Sequence, residues 1–333
     1  MEFCTVFSML SSDWAVLLML FHDNYLVRKI LQYVLQYIPR FLAQQKVRTS
    51  RMGQFDLLEY CWNYSKAKVF GFLEKNCGCD ILENWHRSNH TRFQDVPSCL
   101  RKKEIYQRRL GSFFMDDSFE ATRGEKALSE LTGMGDSFVA KPDIRDHLNW
   151  SIKMDFDSSI ITWHLVTSIC YHQDHDLNHD LINNARSKDM EINKYLSDYM
   201  MYLLVMRPAM VLPEHCRSFW LDHALDKLRD TFSKASNKKA AFNSLFHLSE
   251  LRPRTALENL PKFAGNVATG LKECKNKWEL IKAMWIEMLL YAAHSYQHVN
   301  HVKRLGEYGR ELLTLIWVMG GFRIIEDVMT EDV

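Results

Sequence analysis

The segment Phe156–His172, FDSSIITWHLVTSICYH, decides the fold. A cap-like Asp-Ser-Ser beginning at Asp157 leads into a strongly apolar run that holds neither proline nor glycine, and it reads as one buried helix. A second helix is expected from about Lys188, where Ile192, Leu196, Tyr199, Leu203 and Met206 recur at three- and four-residue spacings. It stops at Arg207-Pro208, because the residue before a proline is pushed out of the helical region. A third helix is expected from about Lys277 to His298 and a fourth from about Val302 to Val318, ending at Gly320-Gly321. Both are apolar nearly all round at Ile281–Leu290 and Leu312–Met319, as helices sunk in a core are. None of the seven prolines lies within 143–207 or 262–333, and alternating strand patterns are scarce. The fold class is therefore all-α, an irregular multi-helix bundle.

Around these helices the chain divides unevenly. Residues 96–145 contain Pro97, Arg101-Lys102-Lys103, Asp116-Asp117, Gly133, Gly135 and Pro142 with weak periodicity, and read as a loose connector. They separate an N-terminal helical unit, 1–95, from a C-terminal helical domain, 146–333. The run Phe3–Phe21 is apolar but carries Asp13 at its middle. A central Asp costs about 2.5–3.5 kcal/mol in the bilayer, so a buried or interfacial helix fits better than a span, with Ser11 or Asp13 as its cap.

The 333 residues are 47% hydrophobic and 25% charged, globular proportions that exclude a disordered chain. A net charge of +1 excludes a whole-molecule field for nucleic acid, and no nucleic-acid partner is expected. Charge is locally skewed, however. No acid occurs between Asn24 and Phe55, whereas Arg28, Lys29, Arg40, Lys46, Arg48 and Arg51 are basic. With Leu26, Ile30, Val34, Ile38, Phe41 and Leu42 as an apolar face, this segment can lie at an anionic membrane surface. Pro39 would interrupt such a helix, and the competing reading is an amphipathic helix docked on the protein's own core. The eight cysteines form one C-x-C (Cys77, Cys79) and no paired C-x-x-C, which points to reduced thiols rather than a zinc ribbon.

Several strings line up in order: SSDWA at 11–15, MGQFDLL at 52–58, RGEKAL at 123–128 and FDSSIITWHLVTSICYH at 156–172. They continue with LSDYMMYLLVMRPAMVLP at 196–213 and the long string from Trp278 to Met319 that begins WELIKAMWIEMLLYAAH. Together they resemble a plant family, abundant in grasses, of domains of unknown function, DUF4220 followed by DUF594, with the family tail at about 275–325. The resemblance implies membrane-spanning helices upstream of SSDWA, so this chain looks like a shortened member. It implies no activity, cofactor or catalytic residue.

Candidate sites come from side-chain chemistry. His172, His175 and His179 interleave with Asp174, Asp176 and Asp180, a pattern able to bind a divalent metal, although a polar loop between two helices explains it as well. His294, His298 and His301 lie at i, i+4 and i+7, with Glu287 two turns earlier, and would share a face if the helix continued. The family reads YAASHC where this chain has Tyr291-Ala-Ala-His-Ser-Tyr; His294 and His298 depart from its pattern, and only Glu287 and His301 match it. His164 sits on the apolar helix, where a hydrogen-bonded core role competes with that of ligand or base. Asp198 and Arg207 flank the apolar part of the next helix, and a buried Asp–Arg or Glu287–Arg pair would serve packing as readily as catalysis. Glu311 falls under the same reading. Nucleophile elbows, phosphate loops, dinucleotide fingerprints and H-E-x-x-H are missing. The expected function is a non-enzymatic helical interaction or scaffold protein, without cofactor, on the cytoplasmic face of a membrane and with an unknown protein partner. The alternatives are a cytoplasmic protein and a metal-dependent enzyme or metal-binding helical protein.

Overall fold

The computed structural model describes residues 51–66, 87–95, 122–132, 142–177, 185–212, 218–245, 259–272, 274, 276–295, 312–314 and 316. Helix accounts for nearly all regular structure among them. In chain order the elements are β1 (Arg51–Gln54), α1 (Leu57–Lys66), β2 (Arg92–Asp95), α2 (Glu125–Thr132), α3 (Pro142–Lys153) and α4 (Phe156–Leu177). There follow α5 (Ala185–Met206), a 3-10 turn at Pro208–Met210, α6 (Phe219–Ser233), α7 (Lys238–Ser244), α8 (Leu260–Leu271) and α9 (Lys277–Ser295). The two short strands pair as a two-stranded sheet. Gly53–Phe93 and Glu120–Tyr296 make up one compact unit, and all nine numbered helices lie in it. Of the other unit, the strand residues Arg51, Met52, Gln94 and Asp95 and the helical residues 312–314 and 316 are described.

The local reasons are mostly caps. Ser218 accepts from Leu221 N–H at 3.1 Å to start α6, Asn237 accepts from Ala240 N–H at 2.8 Å to start α7, and Asn259 accepts from Lys262 N–H at 3.2 Å to start α8. Pro208 ends α5 as expected, and the chain tightens there into the 3-10 turn.

Helix α4 is the axis of this unit. Every residue from Phe156 to Cys170 is buried, polar ones included. It packs against α5 and α8 along most of its length and meets α1, α3, α6 and α9 as well. Polar side chains stitch these faces: Trp163 Nε1 donates to Ser151 Oγ of α3 at 3.1 Å, and Trp285 Nε1 of α9 donates to Thr167 Oγ1 at 3.0 Å. Among the described residues no helix is long and apolar enough to cross a membrane.

Two expectations are corrected. Helix α4 runs on to Leu177, so His172 and His175 stand in its last turns and not in a loop. The extension is anchored by Asp174, which is buried against Lys277 and Trp278. The stretch 96–145 contains helix α2, whose Ala127 and Leu128 are buried; at eight residues it is too short to show a period. The N-terminal run and all the basic candidates before Arg51 lie outside the described residues. Arg51 itself begins β1, not a helix.

Two glycines in the strings MGQFDLL and RGEKAL have steric reasons. A Cβ at Gly53 would overlap the ring of Tyr202 on α5. Gly124 has φ +133°, and a Cβ there would collide with the Met284 side chain of α9. Gly124→Val is expected to destabilise the protein by about 3 kcal/mol, the sum of backbone strain and overpacking, as read by urea unfolding. A change below about 0.5 kcal/mol would show that α2 can move away from α9 without penalty.

Candidate functional site

The site begins at the sequence Phe55-Asp56-Leu57-Leu58-Glu59, where β1 gives way to α1. A helix start leaves four N–H groups without intrahelical partners. Here those of Leu57, Leu58 and Glu59 are met by side chains. Asp56 Oδ1 accepts from Leu58 and Glu59 at 3.0 Å each, and the Asp56 carbonyl accepts from Tyr60 at 2.9 Å. The remaining donor, Leu57 N–H, is accepted by His164 Nε2 of α4 at 3.1 Å.

That bond fixes the imidazole's state. A nitrogen facing an N–H carries no proton, so the ring proton sits on Nδ1, directed at Ser197 Oγ (2.9 Å) and Ser197 O (3.3 Å) of α5. Burial pushes His164 down to about 3, helped by the Lys194 ammonium, so the ring is neutral at physiological pH. Both nitrogens are committed, and His164 is neither a free base nor a free ligand.

Lys194, on the same face of α5, joins two carboxylates. Its Nζ lies 2.8 Å from Asp56 Oδ2, and 2.5 and 2.7 Å from the two oxygens of Asp198 one turn later. Asp198 also holds the corner through its backbone, accepting from Phe55 N–H at 3.0 Å. Asp198 Oδ1 stands 3.7 Å from His164 Nδ1. One cation bonded between two anions beside a neutral ring leaves an excess negative charge in a largely buried place that solvent still reaches. Burial raises the Asp56 carboxyl, but Lys194 and the helix N–H groups overcome this and hold it well below the usual range. Asp198 lacks that helix terminus. Burial and the neighbouring Asp56 outweigh Lys194, and its carboxyl is pushed up to about 7. Burial would lower Lys194, but its two carboxylate partners raise it further.

Two other buried polar groups belong to α9. Glu287 Oε1 accepts from Ala127 N–H at 2.5 Å and Oε2 from Thr122 Oγ1 at 2.9 Å, so it caps α2 from across the interface. Burial raises its carboxyl despite those bonds. Lys277 Nζ pairs with Asp174 Oδ1 at 2.8 Å, and Trp278 Nε1 donates to Asp174 Oδ2 at the same distance. Asn193 of α5 donates to the Trp278 carbonyl at 3.0 Å. Arg123 lies over the Tyr291 ring, 4.6 Å from its centroid, and donates to its hydroxyl.

The structure thus brings His164 and Asp198 together and scatters the other candidates. Arg207 is not the partner of Asp198; Lys194 takes that place, four residues from it on α5. Among the described residues Glu287 is bonded to Thr122 and Ala127 and to no arginine. His172 and His175 lie on α4, His172 with its ring 4.5 Å from that of Phe242, while Asp174 turns inward to Lys277. His294 hydrogen-bonds back to the Leu290 carbonyl at 3.1 Å. His179, His298, His301 and Glu311 fall outside the described residues. Among the described residues no three or more His, Cys, Asp or Glu side chains are grouped to hold a metal ion. Cys61, Cys170 and Cys274 are buried, and burial pushes the Cys61 and Cys170 thiols up to about 12. Sequence reasoning missed Asp56, Lys194 and Lys277, and it read Asp174 as part of a His-Asp pattern and not as the partner of Lys277. Two signals were available: the D-x-x-E start at Asp56, and the Lys194–Asp198 spacing of four.

Comparison with known families places a segment of the chain. Residues 271–322 match the model of the family described as "Protein of unknown function, DUF594". No curated protein and no solved structure gives a match. The matched segment contains the whole of α9, so Lys277, Trp278, Met284, Trp285, Glu287 and Tyr291 all belong to the part similar to that family.

Removing the shared cation should be costly. Lys194→Met leaves two carboxylates facing each other and is expected to destabilise by about 3–5 kcal/mol at pH 8. Part of that loss should be recovered at pH 5, where a carboxyl takes up a proton. Urea unfolding at both pH values reads this; a loss below about 1 kcal/mol at pH 8 would mean that solvent already neutralises the pair.

Proposed function

We propose that this protein is a non-enzymatic helical scaffold that presents its C-terminal helical domain to a protein partner and associates with a membrane through its N-terminal basic segment. One observation carries the scaffold half. The described acid–base candidates, His164, Asp198 and Glu287, are each engaged in a helix cap or an interhelical tie and present no free pair to a substrate. Catalysis needs a group poised to change its bonding with a reacting atom, whereas these bonds hold α1, α2, α4, α5 and α9 in register. Support for the membrane half comes from the acid-free stretch containing Arg28, Lys29, Arg40, Lys46, Arg48 and Arg51. At an anionic surface each nearby cation contributes about 1 kcal/mol.

The experiment is co-sedimentation of the full chain with vesicles containing phosphatidylserine, alongside elemental analysis of untagged protein. Binding is expected in dilute salt and should fade at high ionic strength. Replacing Arg28, Lys29 and Arg40 by Gln should weaken it at least about tenfold. Protein that ignores anionic vesicles would remove the membrane half. A stoichiometric divalent metal would favour the metal-dependent alternative over the scaffold.

A further inference from the structure

The cluster at Asp56, Lys194 and Asp198 has a property that rigid packing does not require. It ties the start of α1 to α5 through two carboxylates and only one ammonium. His164 cannot supply the second positive charge while its Nε2 accepts from Leu57 N–H. Arg92 of β2 also opposes the excess, but burial and Asp56 outweigh it together with Lys194, and a proton is the simplest remaining charge. From these distances we propose that the joint is a proton-responsive latch: one proton on Asp198 tightens the docking of residues 55–60 on α4 and α5, and its loss loosens them.

The geometry says where the effect must appear. Asp198 contacts this segment twice, through its carbonyl to Phe55 N–H at 3.0 Å and through Lys194 to Asp56. With both carboxylates charged, repulsion between Asp56 and Asp198 acts across that same corner. With Asp198 neutral, Lys194 and Asp56 form a balanced pair and the imidazole is undisturbed. Asp198 has 12% of its side chain exposed and Asp56 26%, so protons reach the joint without unfolding.

Other charged and titratable groups surround it. Glu59 comes from α1, Arg92 from β2, Tyr171 and His172 from α4, Glu191 and Tyr195 from α5, and Lys238 from α7. Burial lowers His172 and raises both tyrosines, so all three shifts run away from neutrality.

The sign follows from linkage. A carboxyl whose pKa is higher in the folded state, here about 7, binds its proton more tightly when folded. Its stabilising contribution is complete at acid pH and is lost as pH rises through that value. His164 works oppositely: with a folded value of about 3, it withdraws stability as pH falls below the ordinary imidazole range. The latch is therefore cleanest between about pH 6 and 8.

Amide hydrogen exchange on the full chain, corrected for intrinsic rates, tests this directly. Protection of Phe55 to Tyr60 is expected to be about tenfold greater at pH 6 than at pH 8. Asp198→Asn, which copies the protonated side chain, should keep the high protection at both pH values. Asp56→Asn still caps a helix, and it should likewise flatten the pH dependence because Asp198 then has Lys194 to itself. As an independent readout, the Asp198 carboxyl carbon should titrate near neutrality by NMR. Wild-type protection that does not change with pH, or an Asp198→Asn variant that keeps the full pH dependence, would overturn the proposal. A carboxyl carbon titrating near pH 4 would do the same.

Discussion

Burying α4 along fifteen consecutive residues, from Phe156 to Cys170, is the constraint on which the rest of this unit depends. A helix satisfies its own backbone, so the cost falls on its side chains. Neutral hydroxyls are tolerated: those of Ser158, Thr162 and Ser168 find no partner among the described residues. An imidazole or a carboxylate is far more expensive to strand, and those groups are matched. His164 is held at both nitrogens, and Asp157 accepts from Ser158 N–H at 2.8 Å and Ser218 Oγ at 2.7 Å. The neighbouring helices are thus positioned by polar bonds that have few alternative geometries, while apolar contact provides most of the stabilisation.

The segment similar to DUF594 takes its meaning from this arrangement. Helix α9 touches α2, α4 and α5, and it meets each with a directional bond: Glu287 to the start of α2, Trp285 to α4, and the Trp278 carbonyl to Asn193 of α5. An apolar helix alone could slide or rotate between such neighbours. Lys277–Asp174 at one end and Arg123–Tyr291 at the other pin its register. The buried pair need not add net stability to specify one packing, since a desolvated ion pair roughly offsets its own cost. A segment built this way is a structural keystone of its unit, whatever its surface binds.

How much of this was legible in the sequence differs by level. The helices with long apolar periods, α4, α5 and α9, were readable, and Pro208 marked an end correctly. Helix α2 was not, because eight residues hold too little periodicity and its cap comes from Glu287, 160 residues from Ala127 along the chain. The end of α4 was misread for a related reason: His-Asp-rich sequence looks like loop unless one knows that Asp174 meets Lys277, 103 residues on. His164 and Asp198 were singled out from their setting in apolar helices, but their roles depended on Asp56 and Lys194. Local pattern finds residues that are expensive to bury; only the fold says which partner makes the burial possible.

The central claim is that the buried polar side chains are bound into the fold and not held ready for chemistry. Nitrogen-15 NMR of the His164 ring tests it most directly. A neutral ring, with the proton on Nδ1 and a bare Nε2 accepting from Leu57 N–H, should persist unchanged from pH 8 down to about pH 4, given a folded value of about 3. A ring that titrates in the ordinary imidazole range, or whose Nε2 resonance shifts on adding zinc, would show a free nitrogen at the heart of α4 and contradict the account.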